Sequence, residues 1–178
     1  MLLALAAMAS LSSACGDDTE TKDSPPPDPE PALFDRQPEP NGPRLWLDAT
    51  RGGDGIVRIE VHGAELGEVF GWAAHVRWDA ETLTVDAGGV AETLGGDAEA
   101  ARLLSLQEGD ASLGEARRGT ALGGQAIDEP VVLATLDVGS DSGPSELSLE
   151  RAIVRRADGS YVEITTAGGL LRPEGSTP

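Results

Sequence analysis

The chain reads as an all-β protein, an antiparallel β-sandwich with at most one short helix. Three observations predict this: strict apolar–polar alternation in several segments, glycine- and aspartate-rich turn signals at short intervals between them, and almost no helical period. Many short strands, each with one apolar face, are satisfied by packing two sheets face to face.

The alternation begins at Arg44. In residues 45–49, Leu45 and Leu47 lie on one side and Trp46 on the other. In 56–62, Val57, Ile59 and Val61 share a face, and Arg58, Glu60 and His62 share the opposite one. In 69–78, Phe70, Trp72, Ala74, Val76 and Trp78 form the apolar face, with His75 and Arg77 opposite. Further strands are expected over 83–86, 103–107, 111–116, 131–138, 146–149, 152–155, 161–165 and 169–172. Turn signals at 52–55, 79–81, 123–124, 140–144 and 157–160 separate them. Asp158-Gly159 predicts a hairpin with a two-residue type I′ turn, which needs positive φ at both central residues. Only 97–102 reads as helical, through Ala98, Glu99, Ala100 and Ala101, with Asp97 as N-cap.

Upstream of Arg44 the composition changes. Residues 1–14 are uncharged and mostly apolar, too short for the roughly 20 residues of a membrane-spanning helix but suited to the core of an export signal. Residues 15–43 follow as an acidic, proline-rich tether containing Pro25-Pro26-Pro27 and Pro38-Glu39-Pro40, expected to be disordered. In extended polyproline form, at about 3.1 Å per residue, it reaches on the order of 90 Å. The expected organisation is therefore 1–14 signal, 15–43 tether, 44–172 a single domain and 173–178 a tail.

Cys15 stands at the first of these borders and is the only cysteine, so no internal disulfide can form. The run Leu11-Ser12-Ser13-Ala14-Cys15 resembles the lipobox of bacterial lipoproteins. That resemblance implies cleavage before Cys15, a diacylglyceryl group on its thiol, and attachment to a membrane of the bacterial cell envelope, periplasmic or surface-facing. Two or three acyl chains hold a protein stably where one does so only marginally. The alternatives are a plain secretory signal or a buried thiol in an N-terminal helix.

The net charge of −18 disfavours nucleic-acid binding and electrostatic docking onto anionic lipid, leaving a covalent lipid as the membrane attachment. Lys22 is the only lysine and Asn41 the only asparagine, a bias that GC-rich codon usage alone produces.

The strand order resembles the cohesin domain. The stretches that carry the resemblance are Val57-Arg58-Ile59-Glu60-Val61 followed by Gly71-Trp72-Ala73-Ala74-His75-Val76-Arg77-Trp78-Asp79 and Leu83-Thr84-Val85. Pro130-Val131-Val132-Leu133-Ala134-Thr135-Leu136-Asp137-Val138 matches the late apolar strand. Leu147-Ser148-Leu149-Glu150-Arg151-Ala152-Ile153-Val154, Asp158-Gly159 and Tyr161-Val162-Glu163-Ile164 match the closing strands. The resemblance implies a jelly roll of about nine strands and a protein partner, a dockerin-type module or another envelope or secreted protein. It assigns no binding residue.

No catalytic set is visible. His62 and His75 occupy polar strand positions and read as exposed surface residues; a zinc site wants three or four ligands. No G-x-S-x-G elbow occurs. Asp54, Asp79, Asp97, Asp110, Asp128, Asp141 and Asp158 lie in or beside turns and read as turn stabilisers in preference to calcium ligands. No metal or cofactor is implied. The expectation is a non-catalytic binding domain. The runners-up are a carbohydrate-binding module, whose exposed aromatics would be Trp46 and Tyr161, and a structural envelope protein without a specific ligand. Phe70, Trp72 and Trp78 read as core.

Overall fold

The computed structural model describes residues 33–52, 56–96, 99–119, 123–139 and 142–172. Cys15, residues 1–32, Asp54, Asp97, Ala98, Asp141 and the 173–178 tail lie outside the described residues.

Two sheets enclose one core. The first runs Phe34–Arg36 (β1), Gly169–Leu171 (β14), Ser145–Arg155 (β11), Gly71–Arg77 (β5), Asp110–Arg117 (β8) and Ala100–Gln107 (β7), with Tyr161–Val162 (β12) paired to β11. The second runs Thr165–Ala167 (β13), Arg44–Arg51 (β2), Val57–Ala64 (β3), Val131–Val138 (β10) and Val85–Val90 (β6). Gly67–Val69 (β4) and Gln125–Ile127 (β9) form a separate two-stranded ribbon. The alternation read from the sequence sets the inward faces. Val57, Ile59 and Val61 of β3 meet Leu133 and Leu136 of β10 in the same core as Trp72, Ala74 and Val76 of β5 and Leu147 and Leu149 of β11. Phe70 and Trp78, at the ends of β5, are half-buried, and Trp78 packs on that core.

Among the described residues every pairing is antiparallel except one: β13 runs parallel to β2, with Thr166 opposite Leu45. This follows from how the chain closes the sandwich. β13 belongs to the second sheet and β14 to the first, with only Gly168 between them. A Cβ at Gly168 would collide with the Leu147 carbonyl, so the crossing requires glycine.

The described residues form 14 strands, against about nine expected, because real strands are interrupted where the pattern looks continuous. The 69–78 segment divides at Phe70, and 161–165 divides into β12 and the start of β13. Conversely, 146–149 and 152–155 are one strand, β11, with a bulge between Glu150 and Ile153. The described part of the expected 97–102 helix is extended: Ala100, Ala101 and Arg102 open β7, opposite Arg117, Ala116 and Glu115. Cross-strand pairing and the burial of Ala100 override a helix propensity worth only tenths of a kcal/mol per residue.

The domain also begins earlier than Arg44. Phe34 is part of the core and β1 pairs with β14, Asp35 opposite Leu170. The 157–160 hairpin is present, but its turn is longer than two residues. Arg156 N bonds Ser160 O and Gly159 N bonds Arg156 O, and only Gly159 has positive φ, at 88°. This is the three-residue loop with glycine in the left-handed position.

Candidate functional site

The outer face of the β11-β5-β8-β7 run divides into two halves. Registers place Ile153, Ala73, Gly114 and Leu103 in one cross-strand row, with Arg155, Gly71, Ala116 and Ala101 beside it. The next rows are Glu150, His75, Ser112 and Ser105, then Ser148, Arg77, Asp110 and Gln107. Residues directly opposite share a face, so one half is apolar or small except for Arg155 and the other is polar.

In the apolar half, Ile153 is 49% exposed, Leu103 56% and Tyr161 65%. Only Ile56 and Leu104 join them as exposed large hydrophobics among the described residues. Tyr161 pairs with Arg155 and thereby extends the same face. Ile153, Arg155 and Tyr161, with Gly71, Ala73 and Ala116 beneath them, line a shallow depression of about 260 Å³. Full burial of each large side chain would contribute roughly 1.5–3 kcal/mol.

The polar half is internally bonded. Asp110 lies 3.1 Å from His75 Nδ1, accepts a 3.3 Å hydrogen bond from Ser112 Oγ and stands 3.4 Å from Arg77 Nε. Arg77 Nε also sits 3.3 Å from Glu150. Ser112, His75 and Asp110 are the residue types of an acyl-transfer triad, but their geometry is different. His75 Nδ1 faces both Asp110 and, at 3.4 Å, Ser112. A triad uses opposite ring nitrogens for acid and nucleophile. The group fixes side chains on the face instead of activating a hydroxyl. His62 is on the other sheet, 3.0 Å from Glu60. Both histidines are partly buried and bonded, not exposed as their parity suggested. Among the described residues, no three His, Cys, Asp or Glu side chains converge as a metal site.

Of the two aromatics expected to be exposed, Tyr161 is and Trp46 is not. Trp46 is 4% exposed. It occupies the outer side of the second sheet, as its parity requires, but His62 stacks on it at 5.1 Å and the Arg44 guanidinium lies 5.5 Å from its ring centre. With Ala64 and Ala167 it forms a second small apolar cluster. The two aromatics thus occupy different sheets and make no shared platform. Leu103 and Ile153 were not singled out from sequence, although a signal exists. Leu103-Leu104 and Ile153-Val154 are adjacent apolar pairs within strands, so one member of each must point outward.

At the β11 bulge, Arg151 is exposed and has φ of 48°. A non-glycine residue there costs about 1–2 kcal/mol. Bulges of this kind re-aim side chains and recur beside functional sites.

Two sheets closed by a chain that changes sheet at Gly168, with β11-β5-β8-β7 opposed to β13-β2-β3-β10-β6, define a jelly-roll sandwich. The fold is that of cohesin domains. The sixth cohesin of scaffoldin B from Acetivibrio cellulolyticus, solved with a Cel5 dockerin variant, superposes with a TM-score of 0.57 at 16% identity, covering 75% of this chain and 100% of that one. The Coh-OlpA module from Clostridium thermocellum, solved with Doc918, gives 0.59 at 13% identity, covering 74% and 99%. A non-cellulosomal cohesin from the hyperthermophilic archaeon Archaeoglobus fulgidus gives 0.58 at 12% identity, covering 74% and 91%. No family profile and no curated protein matches the chain.

Proposed function

We propose that this chain is a non-catalytic protein-binding module, held at a bacterial cell envelope by lipid on Cys15, that engages its partner through the outer face of β11-β5-β8-β7. The observation that carries the reading is the convergence of Ile153, Leu103 and Tyr161 beside a pre-bonded polar half on one broad sheet face. An apolar centre with a polar margin is the usual anatomy of a protein interface. The cohesin fold supports it, since two of the similar structures were solved bound to dockerins. A dockerin-type module, or another envelope or secreted protein, is the partner proposed.

The soluble Cys15→Ala chain, immobilised, should retain a defined protein from the secreted and envelope fractions of the producing organism. Ile153→Asp with Leu103→Asp should abolish that retention while leaving thermal unfolding unchanged. Equal retention by both forms would overturn the reading. The anchor has a separate test: Cys15→Ala should move the protein from the detergent phase to the aqueous phase, and unchanged partitioning refutes lipidation.

A second reading, polysaccharide binding, is favoured by one observation, the exposure of Tyr161. Electrophoretic retardation by polysaccharides that is lost in Tyr161→Ala would support it.

A further inference from the structure

The arginines fall into two groups. In a chain of net charge −18, carboxylates are close at hand, and Arg36, Arg44, Arg58, Arg77, Arg102 and Arg172 each contact one. Arg44 bonds Glu39 and Glu65, Arg58 bonds Asp137, Arg77 contacts Asp110 and Glu150, and Arg172 contacts Asp35. Arg151 and Arg155, like Arg117, Arg118 and Arg156, are not among them, and of these five only Arg151 and Arg155 lie on β11. Both are exposed, and neither makes an ion pair among the described residues. They flank Ile153 on β11, and Arg155 lines the depression with Tyr161. Arg151 is moreover held at positive φ, where glycine would fit without strain.

We infer that the partner segment taken by this face carries carboxylate side chains beside apolar ones. Arg151 and Arg155 receive the carboxylates, while Ile153, Leu103 and Tyr161 are covered by the apolar groups. The inference rests on the reading of this face as a protein-docking surface. Guanidinium groups bind carboxylates bidentately, and arginine and tyrosine are enriched among residues that dominate interface energies. The charge of the whole chain repels an acidic partner at long range, so the two arginines act on contact, as selectors. Salt then screens the approach and the contact in opposite senses.

The test is an NMR titration of the full chain carrying Cys15→Ala with three synthetic peptides. They share one set of apolar residues and differ only in having Glu, Gln or Lys at the polar positions. The Glu peptide should shift the Ile153, Leu103 and Tyr161 resonances at concentrations at least tenfold below the Gln peptide, with the Lys peptide weakest. Arg151→Gln with Arg155→Gln, checked for unchanged thermal unfolding, should erase the difference between the Glu and Gln peptides. If the Gln or Lys peptide binds this face as well as the Glu peptide, the charge inference fails and the docking face survives. If no peptide perturbs the face, both fail. If phosphatidylglycerol vesicles broaden the same resonances and the double variant abolishes that, the arginines serve a membrane surface and the inference is overturned.

Discussion

Arg102 Nε stands 3.2 Å from Glu115 Oε1 at the inner edge of the sandwich, as an ion pair without an aligned hydrogen bond. The two residues are cross-strand partners on β7 and β8. The other carboxylate oxygen, Oε2, accepts hydrogen bonds from Thr93 N, Thr93 Oγ1 and Leu94 N at 3.1, 2.6 and 3.0 Å. Arg102 in turn donates to the carbonyls of Ala91 and Gly95. Buried Glu115 and half-buried Arg102 thus hold the 91–95 connection against the sheet edge.

Removing Glu115 strips Thr93 N, Thr93 Oγ1 and Leu94 N of their acceptor, while the partly buried Arg102 keeps Glu92 at 3.5 Å. Glu115→Ala should cost about 3–5 kcal/mol in urea unfolding, and Glu115→Leu with Arg102→Met should recover only part of that, because Thr93 and Leu94 still lack their acceptor. If Glu115→Ala loses under about 1 kcal/mol, the pair does not organise this edge.

Trp46 should behave as a packing residue. Trp46→Ala is expected to lose about 3–5 kcal/mol of stability, the usual cost of emptying a large aromatic site. At temperatures where the variant remains folded, polysaccharide retardation should equal that of the parent. A selective loss of glycan binding would restore Trp46 as a ligand contact.

The sheet crossing at Gly168 should tolerate no side chain. Gly168→Ala drives its Cβ into the Leu147 carbonyl, which is backbone and cannot rotate away. The expected loss is about 3 kcal/mol or more, at or beyond the top of ordinary overpacking costs. Gly143→Ala is the control, since its nearest neighbour, Thr82 O, would be 3.5 Å from the new Cβ. Similar unfolding midpoints for the two variants would show that the crossing can relax.

Asp158 provides a pH signature. Its carboxylate accepts bonds from Ser160 N and Ser160 Oγ at 2.8 and 2.7 Å, and these hold its pKa below the ordinary aspartate value, with Arg156 adding to the effect. Because the folded pKa is depressed, the stabilisation is fully present above the unfolded pKa and is lost as pH falls through the folded one. Asp158→Ala should therefore unfold more easily than the parent at neutral pH, and the difference should close in acid. A gap that persists at the lowest pH would assign the effect to turn geometry instead.

Arg151→Gly should stabilise the domain by about 1 kcal/mol, because it relieves a left-handed residue. The same change should weaken binding of the Glu peptide. A variant that loses stability would show that the Arg151 side chain supports the fold itself.

Much of the architecture was legible in residue order. Val57, Ile59 and Val61 and Trp72, Ala74 and Val76 alternate as they are buried, and Asp79 and Asp158 stabilise turns, Asp79 Oδ1 accepting a bond from Glu81 N. Local reading failed where distant pairing decides. Ala100–Arg102 looked helical because alanine favours helix, yet β8 takes them as a strand. The bulge at Arg151 could not be read, because its register is set against β5, far away in sequence. The Glu115–Arg102 pair was equally hidden, since acidic and basic residues at strand positions ordinarily face water.

Alternation by itself determined which side of each strand a residue occupies, and hence two sheets with an apolar interior. What lies on the outward sides belonged to tertiary structure alone. Trp46 and Ile153 both point away from the main core, yet Trp46 is covered by His62 and Arg44 while Ile153 is left open beside Leu103 and Tyr161. The physical reason is that a period of two specifies a side, whereas exposure depends on which distant strands and side chains come to lie on that side.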